Sequence, residues 1–393
     1  MNGTLLAKAP RSRRVTVLLP VFGLIVVALC ALFLFGLATA RVGWLAVAIG
    51  VLAALVPVGL VVAGFLWVDR WEPEPAKLLL LGFAWGACIA TIVALLINSG
   101  AEAVGDLLLG GGSGSKLSAL VSAPLVEEAA KGAFVLLIFW RRREEFDGVV
   151  DGVVYAGFSA AGFAFTENIY YFGRAFADYG FGNGGNAGVL AAFFLRGVLS
   201  PFTHPLFTVM TGIGFGVAAR TAQRSVRICA PIAGYLVGVC LHALWNSAAT
   251  LGGSDAFLTV YFLVMVPLFI GVIYVVVLQR RREQKIVAAA LPRMAAARWI
   301  APSEIELLAS LSGRRAWRRQ ARRESGRAAA RAVGQYQASV SELAFLRRTR
   351  LRTEEDRRRQ DELLHALRTA RADAMRLATD GDRADRATNG DNR

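Results

Sequence analysis

Two glutamates stand side by side at positions 127 and 128, inside the apolar run SALVSAPLVEEAAKGAFVLLIFW, with Lys131 one helical turn further on. A charge held at bilayer depth costs roughly 2.5–3.5 kcal/mol even on the mildest scales, so such residues need a partner or a task. Three other apolar stretches carry polar groups of the same kind: Glu167 in FAFTENIYYF, His204 in SPFTHPLFT, and His242 with Asn246 in CLHALWN. On a helix Glu127 and Lys131 are four apart and Glu128 and Lys131 three apart, so one glutamate can pair with the lysine while the other stays free. A free carboxylate in low dielectric can take a proton from water as a general base. His242 and Asn246 share a helix face. That pair could donate hydrogen bonds to a developing oxyanion, or His242 could ligate a metal while Asn246 orients it. The bland reading is an ion pair and interhelical hydrogen bonds that hold helices together.

These residues need helices deep in a membrane to position them. The chain has 393 residues, 55% of them hydrophobic, and a mean hydropathy of +0.48, too apolar for a soluble globular protein of this length. Stretches of about 20 apolar residues predict an all-α, polytopic helical membrane bundle of eight spans: 15–38, 42–66, 77–98, 118–140, 149–172, 190–219, 228–250 and 256–279. At about 1.5 Å per residue, Glu127 lies about 15 Å, His242 about 12 Å and Glu167 about 8 Å from the outer ends of their spans. His204 joins that layer if Arg196 marks the outer interface.

Loop charges set the orientation. Lys8, Arg11, Arg13 and Arg14, then Arg70 and Lys77, Arg141 to Arg143, and Arg220, Arg224 and Arg227 fall on one side, with the basic tail. The opposite loops hold Arg41, Lys116 and Arg174 against Glu102, Asp106, Asp178 and Asp255. By the positive-inside rule both termini are cytoplasmic and the protein is a multi-pass cell-membrane protein. Its predicted parts are a cytoplasmic N-terminus over 1–14, a transmembrane domain over 15–285, and a basic, largely helical cytoplasmic tail over 286–393 whose last fifteen residues read as disordered.

From Arg280 onward 27 basic residues face 15 acidic ones, which accounts for twelve of the chain's fifteen net positive charges. Beside a membrane such a tail is expected near anionic lipid heads, with no specific nucleic acid as partner. Ser303 and Glu306, after Pro302, form the pattern of a capping box. Cys30, Cys88, Cys229 and Cys240 fall in or beside apolar spans with no metal spacing and read as reduced core residues. The glycines of the fifth span (Gly148, Gly152, Gly157, Gly162) fit close helix packing or a wet transport path equally well.

Four runs, EExxK (Glu127, Glu128, Lys131), FxxxEN (Phe163, Glu167, Asn168), SPxxH (Ser200, Pro201, His204) and HxxxN (His242, Asn246), together resemble the PrsW family of intramembrane proteases. That family sits in a wider group with the CAAX prenyl endopeptidases and bacteriocin-processing proteins. The segment DRWEPEP, with Asp69, Glu72 and Pro75, is similar to a feature of the same family. The resemblance covers roughly residues 65–250, and the FxxxE run departs from the FxxxH of the prenyl enzymes. It implies a helical membrane peptidase that hydrolyses a peptide bond of a membrane-anchored protein, such as an anti-sigma factor-type regulator. It also implies that Glu127 and Glu128 activate the water and that Glu167, His204 and His242 complete the site, with Lys131 and Asn246 beside them. A His₂Glu zinc set of Glu167, His204 and His242 is the one expected if a metal takes part. The competing classes are a proton-coupled transporter, for which repeat symmetry is lacking, and a catalytically silent scaffold or immunity protein.

Overall fold

The computed structural model describes residues 13–71, 73–143, 146–182, 188–348 and 354–390. Glu72, residues 1–12 and positions 183–187 of the glycine-rich loop before the sixth span lie outside them. Every regular element among the described residues is a helix. The longer ones in chain order are α1 (Arg13–Val42), α2 (Trp44–Val68), α3 (Ala76–Leu109) and α4, formed by the consecutive segments Ser113–Leu117, Ser118–Ser122 and Ala123–Arg141. Then come α5 (Val149–Tyr179), α6 (Val189–Ala219), α7 (Arg224–Leu251), α8 (Gly253–Ala296), α9 (Leu311–Arg348) and α10 (Glu354–Gly390).

Seven of these helices, α1, α2, α3 and α5 to α8, are long and apolar enough to cross a membrane. The predicted fourth span is helical and long enough as well. The three charges in its middle, Glu127, Glu128 and Lys131, are what set α4 apart from the others on composition. Two compact units divide the chain: residues 1–67 with 74–272, and residues 68–73 with 273–393, the boundary falling within α8.

In the first unit α5 is the central post. Of its most apolar window 83% is buried, against 0% for α1. The burial comes from small residues at the crossings. A Cβ on Gly152 would stand 2.1 Å from the Gly212 carbonyl oxygen of α6, and one on Gly162 would stand 2.0 Å from the Phe83 oxygen of α3. The fifth-span glycines therefore serve close packing, as in other membrane bundles. Side chains reinforce these crossings: Ser159 of α5 donates to the Lys131 carbonyl (3.0 Å), Thr166 to the Ala87 carbonyl (2.7 Å), and the Trp85 indole to the Ala130 carbonyl (2.9 Å). Four membrane helices contain a π-helical turn, at Trp85–Ala90, Ser118–Ser122, Phe194–Leu199 and Tyr261–Met265. Such turns re-aim the side chains that follow and recur at functional sites.

The second unit has its own core, in which Leu291, Met294, Leu308, Tyr336, Leu343 and Leu367 are fully buried with Trp71 against them. Its polar knot is Glu304, which accepts hydrogen bonds from the Ala301 backbone N–H (2.9 Å), the Tyr336 hydroxyl (2.5 Å) and the Arg371 guanidinium (3.0 Å). The cap thus uses Glu304 rather than the predicted Ser303 and Glu306, because Pro302–Glu304 closes as a 3₁₀ turn that puts Ser303 inside it. The backbone of α10 is helical to Gly390, through most of the stretch expected to be disordered.

Candidate active site

Glu128 is fully buried and both of its oxygens are occupied. Oε1 accepts from Lys131 Nζ at 2.6 Å and lies 3.0 Å from His242 Nδ1, while Oε2 accepts from the Thr208 hydroxyl at 2.7 Å. One carboxylate thus ties α4, α6 and α7 together. The helices can come close enough because Gly238 of α7 lies against the backbone of Phe207 in α6, where a Cβ would stand 2.6 Å from its carbonyl oxygen. Since a carboxylate only accepts, His242 Nδ1 carries the hydrogen and its Nε2 is left with a lone pair.

Glu127 is the less engaged member of the pair. Its Oε1 is 3.4 Å from the Asn98 amide of α3, itself held by Ser122 (2.7 Å), while Oε2 is buried without a hydrogen-bond partner. That oxygen lies 3.8 Å from Lys131 Nζ and 3.9 Å from His242 Nε2. The spacing anticipated one paired and one free glutamate; instead Lys131 pairs closely with Glu128 (2.6 Å) and stays within ion-pairing distance of Glu127 (3.8 Å).

His204 bridges to the third carboxylate. Its Nδ1 is 3.3 Å from Lys131 Nζ and its Nε2 is 2.6 Å from Glu167 Oε2. An ammonium only donates, so Nδ1 accepts and Nε2–H points to Glu167. Glu167 also takes Arg196 Nη2 at 2.7 Å, and Arg196 Nε reaches the Asn168 side-chain oxygen at 2.8 Å. This fork gives Arg196 a place in the site that the sequence did not assign to it. The clue was available: an arginine within the apolar run FFLRGVLS invites the same question as a glutamate at that depth. Arg196 sits on the π-helical turn of α6 and stacks on the Tyr171 ring at 4.0 Å. Thr208 and Asn98 also escape a reading based on charge.

Two predicted roles change. Asn246 does not face the carboxylates. Its amide donates to the Ala119 carbonyl at 2.9 Å, where the π-helical turn of α4 frees a backbone acceptor. The predicted metal set also shifts. Glu127, His204 and His242 each offer a ligand atom within 4.8 Å of the others, whereas Glu167 is engaged by Arg196. Upstream, Glu74 of the DRWEPEP segment accepts the hydroxyl of Tyr155, a buried residue of α5.

A cavity of about 510 Å³ adjoins the site, lined by parts of α1 to α5 and including Asn98, Glu127, Phe163 and Glu167. It is mostly apolar, with Arg41, Glu102, Glu127 and Glu167 as its charged groups, so a dry wall stands beside carboxylates.

Residues 74–272 match the family model described as PrsW family intramembrane metalloprotease. Relatives named Protease PrsW come from Geobacillus kaustophilus (29% identical, 46% of this chain and 71% of the relative), Oceanobacillus iheyensis (30%, 44% and 70%) and Clostridioides difficile (26%, 50% and 76%). No solved structure matches the chain. With the four motif runs meeting across α4 to α7 and the family match spanning that whole bundle, the chain belongs to the PrsW family and is an intramembrane protease.

Proposed function

We propose that the protein hydrolyses a peptide bond of a membrane-anchored protein with Glu127 as the general base. The observation that carries this is Glu127 Oε2, a buried carboxylate oxygen without a hydrogen-bond partner, in the wall of the cavity and beside Lys131 and His242. A water molecule held there gives its proton to Glu127 as its oxygen attacks the scissile carbonyl carbon. The negative charge that gathers on the carbonyl oxygen is stabilised by the Lys131 and Arg196 cations in a site of low dielectric. When the C–N bond breaks, the proton passes from Glu127 to the leaving nitrogen and the carboxylate is restored. Glu128 has no oxygen to spare and acts as a positioning residue for Lys131 and His242.

The family description brings a metal into question, and the residues fit one by chemistry. Glu127, His204 and His242 form a His₂Glu set, Glu127 Oε2 lacks another partner, and the His242 Nδ1–H committed to Glu128 leaves Nε2 free, the usual arrangement behind a ligating imidazole. A zinc ion bound there would supply Lewis-acid polarisation of the scissile carbonyl. In that second reading Glu127 is a ligand instead of the base, and Lys131 gives up its contact with His204.

The substrate class we favour is a single-span regulator of the anti-sigma type, reached from the membrane side. Eight crossings with both termini in the cytoplasm are supported by the loop charges. The decisive comparison is between membrane proteomes of cells carrying the intact protein and the Glu127→Gln variant. Peptides cut only in the first support the proposal, and cleavage that persists unchanged in the variant rejects it. For the metal, about one zinc per purified chain that is lost in His242→Ala supports the ligand reading. Activity surviving exhaustive chelation leaves Glu127 as the base.

A further inference from the structure

The second unit carries a site that the protease chemistry does not use. Helix α9 is broken at Gly326, whose φ of 83° and ψ of −170° are not helical, and the chain folds back into two antiparallel arms. The arms are pinned along their length. Arg314 donates to the Gln337 carbonyl (3.3 Å) and the Ser341 hydroxyl (2.7 Å), and the Trp317 and Tyr336 rings meet edge to face at 5.8 Å. Nearer the bend, Ala321, Ala329, Ala332 and Val333 form a small apolar cluster. On this hairpin lies an open cleft of about 520 Å³, within the size of small-molecule sites, roughly 300–1,000 Å³.

The lining is one-sided in charge. Arg315, Arg318, Arg319 and Arg322 come from the first arm, Arg327 and Arg331 from the second, and Ala330 is the remaining wall. Among the described residues no carboxylate lies within ion-pairing distance of any of the six; the nearby Glu324 accepts from Gln320 at 3.0 Å. Burial together with the adjacent Arg315 and Arg70 lowers the Arg318 guanidinium below its ordinary value, a sign that positive charge is crowded here. Six like charges around one cleft repel each other, and an anion between them reverses the sign of that interaction. Guanidinium forks from two arms suit the tetrahedral oxygens of phosphate, which each can grip bidentately. Single-stranded nucleic acid binds through aromatic platforms on which bases stack, and this lining has none.

We infer that the hairpin cleft binds a phosphate-bearing ligand with at least two negative charges, either the headgroup of an anionic phospholipid or a free polyphosphate. The test uses the full chain in nanodiscs of phosphatidylcholine alone and of phosphatidylcholine with cardiolipin, titrated with inorganic pyrophosphate. One variant combines Arg318→Gln, Arg322→Gln and Arg327→Gln. A control with the same change in charge combines Arg298→Gln, Arg323→Gln and Arg368→Gln, all exposed and outside the cleft.

Pyrophosphate affinity in neutral discs is expected to fall about tenfold or more in the cleft variant, about 1.4 kcal/mol per tenfold, and to change little in the control. If a headgroup is the natural occupant, cardiolipin discs suppress pyrophosphate binding by the intact chain. If a free polyphosphate is, they do not. Equal losses in the two variants reduce the effect to bulk charge and overturn the site. So does an intact chain that binds neither pyrophosphate nor cardiolipin, or an oligoribonucleotide that binds more tightly through the same three arginines. Replacing the same three residues together by lysine (Arg318→Lys, Arg322→Lys and Arg327→Lys) keeps the charge but not the fork, and full affinity in that third variant would also overturn the inference. Unchanged helical circular dichroism certifies each variant as folded.

Discussion

Glu128 spends both oxygens on neighbours while Glu127, one residue earlier, keeps one to itself, and this difference separates their expected variants. Glu127→Gln should lower turnover at least about a hundredfold, the scale of a lost general base, with the fold intact by thermal unfolding. Glu128→Gln should lower turnover as well, and in addition cost about 3–5 kcal/mol of stability, because it removes the close partner of the buried Lys131 charge. Adding Lys131→Met to Glu128→Gln should recover part of that stability without restoring activity; no recovery would mean that the pair is not the coupling read here. Arg196→Lys keeps the charge but loses the fork to Glu167 and Asn168, and a fall in kcat of about tenfold to a hundredfold is expected from the misplaced His204. Charge is what made much of this legible in the sequence, since carboxylates and histidines stand out in apolar runs. Thr208 and Asn98 bear no charge and blend into their helices. Arg196 looked like an interface marker because its partners on α5 are distant in sequence.

Elements place these side chains through backbone contacts that spacing alone cannot reveal. A run of mostly apolar residues reads the same whether a helix faces lipid or protein, so the eight helical stretches were predictable and their packing order was not. The glycines of α5 illustrate this. Their crowding suggested either packing or a water path, and only the approach of Gly212 to Gly152 decides for packing. Gly152→Ala is therefore expected to cost about 1–3 kcal/mol by overpacking, read as a lower unfolding temperature in detergent, together with reduced cleavage. The π-helical turns were equally invisible, yet one points Arg196 inward and another offers Ala119 to Asn246. Asn246→Ala should accordingly disturb stability more than chemistry, with KM and kcat close to those of the intact protein once folding is matched.

At the scale of the whole molecule, the open count is whether α4 crosses. Seven helices qualify on composition, and α4 carries the three charges that make the site. If it crosses, a reporter fused after the C-terminus is active only in the cytoplasm, as is one fused before α1. Reporters on opposite faces would mean an odd number of crossings. The four motif runs were readable as a family signature because their order along the chain matches the order of the helices that meet at the site. The tail lies outside that signature, and its hairpin bend at Gly326 was hidden in a run of Ala and Arg that reads as one unbroken helix. One last feature bears on speed rather than on chemistry. The wall of the cavity contributed by α1 belongs to the helix least embedded in its own protein, while another wall rests on α5, the most embedded. If the bilayer rather than the fold closes that flank, a peptide would slip in by pushing lipid aside. Turnover should accordingly track acyl-chain packing, slowing in gel-phase membranes by more than the temperature change alone produces, and tethering α1 to α3 by a cross-link should throttle large substrates before small ones.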